Sequence, residues 1–273
     1  MSETTNQREH GQRSGPEAPR MQGHWLLASL GKRVLRPGGL GLTRRMIAAA
    51  QVQPGERVVE LGPGVGATAE LLLATGPSSY RGVDPNPQGR EQVAAVLAGH
   101  PEAEYVVTDA AATGLPDASA DLVVGEAMLT IQGDDAKREI GREAARLLAP
   151  GGRYAIHEMG VREDRDETQR DAARRNLSRS IKVGARPVTL AQWRSLLEEA
   201  GLEVRWTGTA PMRLLEPTRV IRDEGLAGAS RFVWRAVRTP GALRRLRAMR
   251  ATFHAQGELI NAVGLVAVKP VVA

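Results

Sequence analysis

The stretch RVVELGPGVGATAELLLATG, residues 57–76, decides the fold. A short β-forming run, Arg57 to Leu61, breaks into glycines at positions 62, 64 and 66. A helix-forming segment then runs from Gly66 to Thr75, with Gly76 placed as a left-handed stop. Glycines between a strand and a helix let a ligand approach the backbone. The spacing is Gly-x-Gly-x-Gly rather than the Gly-x-Gly-x-x-Gly of dinucleotide sites. Glu60 stands two residues before the first glycine. A carboxylate there repels a pyrophosphate and attracts an ammonium, so the turn suits a ligand with a positive group.

Outward from this stretch, strands and helices alternate. Tyr80–Asp84 reads as a second strand, and Asn86 caps a helix that starts at Pro87 and runs to Leu97. Tyr105–Thr108 is a third strand, and DLVVGEAM from Asp121 is a fourth. A helix from Asp134 follows, with Ile140, Ala144, Leu147 and Leu148 on one face, and then a fifth strand over Arg153–Glu158. This order predicts an α/β domain, doubly wound, with a mostly parallel sheet and helices on both faces. Ligands of such sheets bind beyond the carboxyl ends of the strands. Three successive strands end there in carboxylates: Glu60, Asp84 and Asp109. Asp84 is placed to accept hydrogen bonds from ribose hydroxyls. Asp109 and the N–H after it are placed to read an adenine.

The second half is less regular. Thr189 and Gln192 form a capping box ahead of a helix that Gly201 closes. LEVRWTG and LINAVGLVAVKP read as strands. Between them lie about fifty residues beyond the needs of a minimal domain, with helices over Pro217–Arg238 and Gly241–Phe253. The organisation expected is a disordered leader over residues 1–20, an N-terminal helical cap over 21–52, and a main domain over 53–273. A helical insertion at about 207–256 interrupts that domain.

Composition narrows the function. The chain has 273 residues, 42% hydrophobic and 25% charged, as a globular protein does, but only 3% aromatic. There is no cysteine, which excludes disulfides, cysteine–zinc sites, iron–sulfur clusters and a cysteine nucleophile. With no apolar run near a membrane span and no apolar signal region at the N-terminus, the reading is a cytoplasmic protein. The net charge of +6 comes almost wholly from arginine. Neither an aromatic-interleaved basic strand nor zinc-finger spacing accompanies it, so nucleic acid is not the expected partner. The Gly241–Phe253 segment sets Leu243, Leu246, Met249 and Phe253 on one side among arginines. It reads as a lid, as plain packing, or as a peripheral contact with an anionic membrane.

Glu60-x-Gly-x-Gly-x-Gly, GVDPN, VVTDAAATGLPDASADLVVGEAM and REAARLLAPGGRYAIHE stand in order over Pro54–Glu158. Together they resemble the successive motifs of the class I S-adenosylmethionine-dependent methyltransferases, most closely the small-molecule and lipid or quinone branch. The resemblance implies a Rossmann-like sheet of seven strands whose last, Ile260–Lys269, is antiparallel. It implies S-adenosylmethionine as cofactor and a small-molecule or lipid-like acceptor. Glu60 and the backbone of Gly62, Pro63, Gly64 and Gly66 would hold the methionine part, and Asp84, flanked by Pro85 and Asn86, the ribose. Asp109 and Ala110 would read the adenine, and Glu126, Ala127 and Met128 would lie near the methyl. No universal catalytic side chain is implied, since transfer rests on positioning. Glu158 is a candidate base, with its strand neighbour His157 facing the other way. His24, Trp25 and His254 are candidates for the acceptor side. Two other readings stay open: a protein that binds the cofactor without methylating, and a nicotinamide-dependent oxidoreductase.

Overall fold

The computed structural model describes residues 21–271, and the leader expected over residues 1–20 lies outside them. Seven strands form one sheet: β1 (Arg57–Leu61), β2 (Ser79–Val83), β3 (Ala103–Val106), β4 (Ala120–Glu126), β5 (Leu148–Val161), β6 (Glu203–Pro211) and β7 (Ile260–Val268). Their spatial order is 3-2-1-4-5-7-6, with β7 antiparallel to both β5 and β6 and the other pairs parallel. The doubly wound expectation with an antiparallel last strand holds. The antiparallel β7 also departs from the all-parallel order of dinucleotide-binding sheets, which counts against the nicotinamide reading.

Register explains why the carboxylates converge. Leu61 pairs with Val83 on one side and Gly125 on the other, and Val83 pairs with Val106. The chain therefore leaves β1 to β4 at one edge. The central strand β4 is buried through Leu122–Gly125, as a strand covered on both faces must be.

The helices are α1 (Gly23–Ser29), α2 (Gly39–Ala50), α3 (Ala69–Leu73), α4 (Gly89–Leu97), α5 (Asp134–Leu147), α6 (Glu167–Ile181), α7 (Leu190–Glu199), α8 (Pro217–Arg238) and α9 (Ala242–Ala255). One core joins α5 and α7 to the sheet around Trp193, whose indole N–H donates to the Met159 carbonyl at 2.9 Å. On the other face Met46 and Ala50 of α2 pack on Val58, Leu72 and Leu122. A third core lies outside the sheet and gathers α1, α6, α8 and α9.

Local starts differ from the sequence reading where side chains compete for backbone N–H groups. The helix expected from Gly66 begins at Ala69, after a tight turn. The helix expected from Pro87 begins at Gly89, because Asp84 and Asn86 take the N–H groups of Asn86 and Gln88 in two successive turns. The capping box of Thr189 and Gln192 forms with both of its bonds. Strand β6 runs to Pro211, so the insertion begins later than residue 207.

Of the three readings of Gly241–Phe253, the insertion shows plain packing. Met249 and Phe253 of α9 are buried, and Leu243 and Leu246 pack against the outer core. The apolar side of α9 is covered by protein and is not a membrane face.

Candidate functional site

At the carboxyl edge of the sheet lies a cavity of about 540 Å³. Gly62, Gly64, Asp84, Pro85, Asp109, Ala110, Glu126, Ala127 and Met128 all line it. A smaller hollow of about 70 Å³ shares Leu35, Gly62, Gly64, Val65, Glu126 and Ala127 with it, and adds Glu60, Pro63, Thr68, Arg33 and Arg36. So every cofactor candidate except Gly66 and Asn86 lines one hollow or the other.

Those two have other tasks. Gly66 has φ +79°, and a Cβ there would lie 3.0 Å from Val96 of α4, so it serves helix packing. Asn86 holds a turn, with its carbonyl accepting from the Tyr105 hydroxyl. Gly64 behaves differently: at φ +55° an added Cβ would meet no heavy atom closer than 4.0 Å, so its surface is open. Ala127 also sits at positive φ, 56°, a strained position for alanine, and its N–H donates to the His157 carbonyl.

The hollow is strongly charged. The Glu126 side chain is 4% exposed and lies 2.9 Å from Arg36 Nε. His157 Nδ1 lies 3.0 Å from its other oxygen, the Thr43 hydroxyl donates to it at 2.7 Å, and the Thr68 hydroxyl also donates to it. Burial alone would raise the Glu126 pKa. Arg36, His157 and Thr68 outweigh burial and bring it to about 2. Glu60 has only the Tyr80 hydroxyl, at 2.6 Å. Burial pushes its carboxyl up to about 7, with Glu126 adding to the shift and Tyr80 and Arg36 opposing it. Arg36 Nη2 is buried without a partner.

Arg36, Thr43 and Thr68 were not legible as site residues. The turn after Arg36 carries the only signal: Pro37-Gly38-Gly39, with both glycines at positive φ. The turn is fixed by α8. Gly39 lies against the Asp223 carboxylate, whose Oδ1 accepts from Leu40 N–H at 3.2 Å, and Arg219 donates to the Gly38 carbonyl at 2.8 Å. Glu224 accepts from the N–H groups of Arg33 and Val34 and pairs with Lys32 at 3.1 Å. The insertion helix thus holds the strap that carries Arg36 into the hollow.

Part of the cavity wall is apolar. It is the part supplied by the outer core, with Leu27, Leu35, Met159, Ile181, Leu214, Met249 and Phe253, and with Trp25 of α1; Gln132 and Glu139 line the cavity elsewhere. His24 also lines it, 5.1 Å from the Trp25 ring, and burial lowers its pKa, so it is neutral at pH 7. His254 is exposed and lies outside; its neighbour Phe253 points inward instead. Glu158 is also outside. Its carboxylate accepts from the N–H groups of Met128, Leu129 and Thr130 and from the Thr130 hydroxyl, at 2.5–3.0 Å. Burial pushes its pKa up against the pull of those four donors. It anchors the loop after β4 and has no lone pair turned to the cavity, which corrects the expectation of a base there.

Residues 59–156 match the family model described as a methyltransferase domain. An uncharacterized protein of Haemophilus influenzae is 31% identical over 219 residues, spanning 79% of this chain and 86% of its own length. Among solved structures, phosphoethanolamine N-methyltransferase 2 of Haemonchus contortus, in complex with S-adenosyl-L-methionine, superposes with a TM-score of 0.68 at 16% identity. That match covers 91% of this chain and 57% of that one. The [4+2]-cyclase SpnF superposes at 0.67 with 18% identity, covering 91% and 92%. Residues 59–156 form a methyltransferase domain, carried on the seven-stranded Rossmann-like fold that these solved structures share.

Proposed function

We propose that the protein methylates an apolar small molecule or lipid-like acceptor. The observation that carries this is the part of the cavity lining that the outer core supplies, Leu27, Leu35, Met159, Ile181, Leu214, Met249 and Phe253, with Trp25 of α1. Such a wall desolvates an apolar acceptor and offers little to a charged one.

The methyl donor in this reading is S-adenosylmethionine, and the residues present fit it. The unpartnered Arg36 Nη2 is a donor for a carboxylate, and Glu60, which holds only the Tyr80 hydroxyl, is an acceptor for an ammonium, while Glu126 fixes Arg36 in place. Asp84 is assigned to the ribose, with Pro85 beside it, and Asp109 and Ala110 to the adenine. Gly62, Pro63, Gly64, Ala127 and Met128 supply backbone and van der Waals contact. The bound cofactor supplies a methyl already activated on a sulfonium. The chain's part is then to hold the acceptor in line, exclude water and receive a proton where the acceptor must lose one. His24, neutral and in the cavity wall, is the imidazole placed for that last role.

Two tests follow. Asp84→Asn keeps the oxygen that accepts from Asn86 N–H but removes the charge. It is expected to weaken S-adenosylhomocysteine binding roughly 10- to 100-fold by calorimetry, the loss of one or two charge-assisted bonds, with the melting temperature of the free protein unchanged. An unaltered affinity removes the ribose assignment. The second test uses pH. Below about pH 7 Glu60 is protonated in the free protein and must lose its proton to face an ammonium. Affinity for the cofactor should therefore rise from pH 5.5 toward 7, by up to roughly tenfold per unit, and level off above. In the free protein the same raised pKa favours the fold below the ordinary glutamate range and is lost as pH rises through about 7. Glu60→Gln should flatten the affinity profile.

The [4+2]-cyclase shares the fold, so a protein that binds the cofactor without transferring its methyl is the competing reading. The deciding experiment is transfer from methyl-labelled cofactor to fractionated cell extracts, with product masses measured. A labelled product supports methylation, and cofactor binding with no labelled product in any fraction supports the competing reading.

A further inference from the structure

We propose that the second half of α8 docks the protein on an anionic lipid surface. Gly225, at φ 71° and ψ 172°, breaks α8 into two parts with different work. The first carries Asp223 and Glu224, which hold the strap of Arg36. The second turns Phe232 and Ala236 into the outer core and presents a bare face on its other side. On that face Leu226 is 74% exposed, Val237 63%, Trp234 57% and Val233 56%. Positions 226, 233 and 237 fall on one line of the helix, with Trp234 beside it. These are large apolar side chains grouped on one helix, and each is more exposed than Val107, Ile131 or Ile221.

Charge selects the occupant. From Gly225 to Gly257 the sequence has seven arginines and no carboxylate, against a net charge of +6 for the whole chain. That segment's +7 exceeds the net charge of the whole chain, and the remaining residues together carry −1. Arg231, Arg235 and Arg238 are exposed along one edge of the apolar stripe, and the Arg238 guanidinium lies 4.5 Å from the Trp234 ring centre. A second copy on the stripe would bring two such arginine sets together and be repelled. A nucleic acid would use the arginines and leave Leu226, Val233 and Val237 bare. An anionic bilayer satisfies both halves of the pattern: apolar side chains enter the acyl boundary, arginines meet phosphates, and tryptophan takes the interface between them. No helix among the described residues is long and apolar enough to cross a membrane, so contact is at the surface. Helix α9 packs on α8 and sends Met249 and Phe253 into the cavity, so the docking element and the acceptor wall belong to one body. The docking itself does not depend on which acceptor is methylated.

The test is sedimentation of the full chain with vesicles of phosphatidylcholine alone and of phosphatidylcholine with about one third phosphatidylglycerol. The protein should partition onto the anionic vesicles at least roughly tenfold more than onto the neutral ones, with loss of binding in high salt. Trp234 is far more exposed than the buried Trp193, and its emission should shift to the blue on binding. Leu226→Ser with Trp234→Ser should abolish both signals, and Arg231→Ser with Arg238→Ser should abolish the preference for anionic lipid. All four positions are exposed, so unchanged melting curves confirm that the fold is kept. The proposal is overturned by absence of binding at low salt, or by equal binding of the variants. It is also overturned by a concentration-dependent dimer that Trp234→Ser disperses, or by duplex DNA binding to which the apolar variant is indifferent.

Discussion

Glu126→Ala is expected to lower folding stability by about 3–5 kcal/mol, the cost of breaking a buried ion pair from one side. The side chain is the centre of the hollow: Arg36, His157, Thr43 and Thr68 all turn to it. Its removal leaves the Arg36 guanidinium, 6% exposed, without its nearest counter-charge. In a chain of this size the melting temperature should fall by roughly 6–15 °C. Glu126→Gln keeps the shape and two possible acceptor contacts, and should cost less. Thr43→Ala removes one donor and should cost about 1 kcal/mol. Denaturant titration of the three variants checks the order. If Glu126→Ala unfolds no more readily than Thr43→Ala, the hollow is not held by this carboxylate.

The second large effect concerns Glu158. Replacement by alanine strips the acceptors from two buried and one part-buried backbone N–H groups and a hydroxyl, and should cost about 3 kcal/mol or more. The loop it holds includes Met128 and follows strained Ala127, both in the cavity wall, so cofactor affinity should fall with stability. Glu158→Gln separates this anchoring role from a catalytic one. Its amide nitrogen faces N–H donors, so stability falls. A general base would instead lose rate while the melting curve stayed in place. Measuring both quantities on one preparation distinguishes the two.

Sequence and structure agree where backbone geometry dictates residue type. The turn after β1 needs glycines at 62 and 64 for left-handed backbone, with Gly62 close against Met128 and Gly64 open, and those positions show it at once. Asp84 and Asp109 were legible because parallel strands of similar length must deliver their ends to one edge. Arg36 was not, because its place depends on α8, more than 180 residues away, gripping the strap through Asp223 and Glu224. Such a long-range clasp leaves no periodicity in the sequence. Glu158 misled for a related reason. A carboxylate at the end of β5 looks the same in sequence whether it faces a ligand or neighbouring N–H groups, and only the path of the β4 loop decides. The sequence of α9 leaves lid, packing and membrane contact open, because only tertiary packing decides that the apolar side of α9 is buried and that of α8 exposed. His254 failed by one residue: Phe253 takes the inward position, and a helix turns its neighbour about 100° away.

The central claim is that a methyl group leaves S-adenosylmethionine in this cleft for an apolar acceptor. It is tested most directly by incubating the protein with methyl-labelled cofactor and a total cell extract, then separating the organic and aqueous phases. The account predicts label in the organic phase, on a product heavier than its precursor by one methyl group, and loss of that label with Asp84→Asn. Label confined to water-soluble, charged products would contradict it.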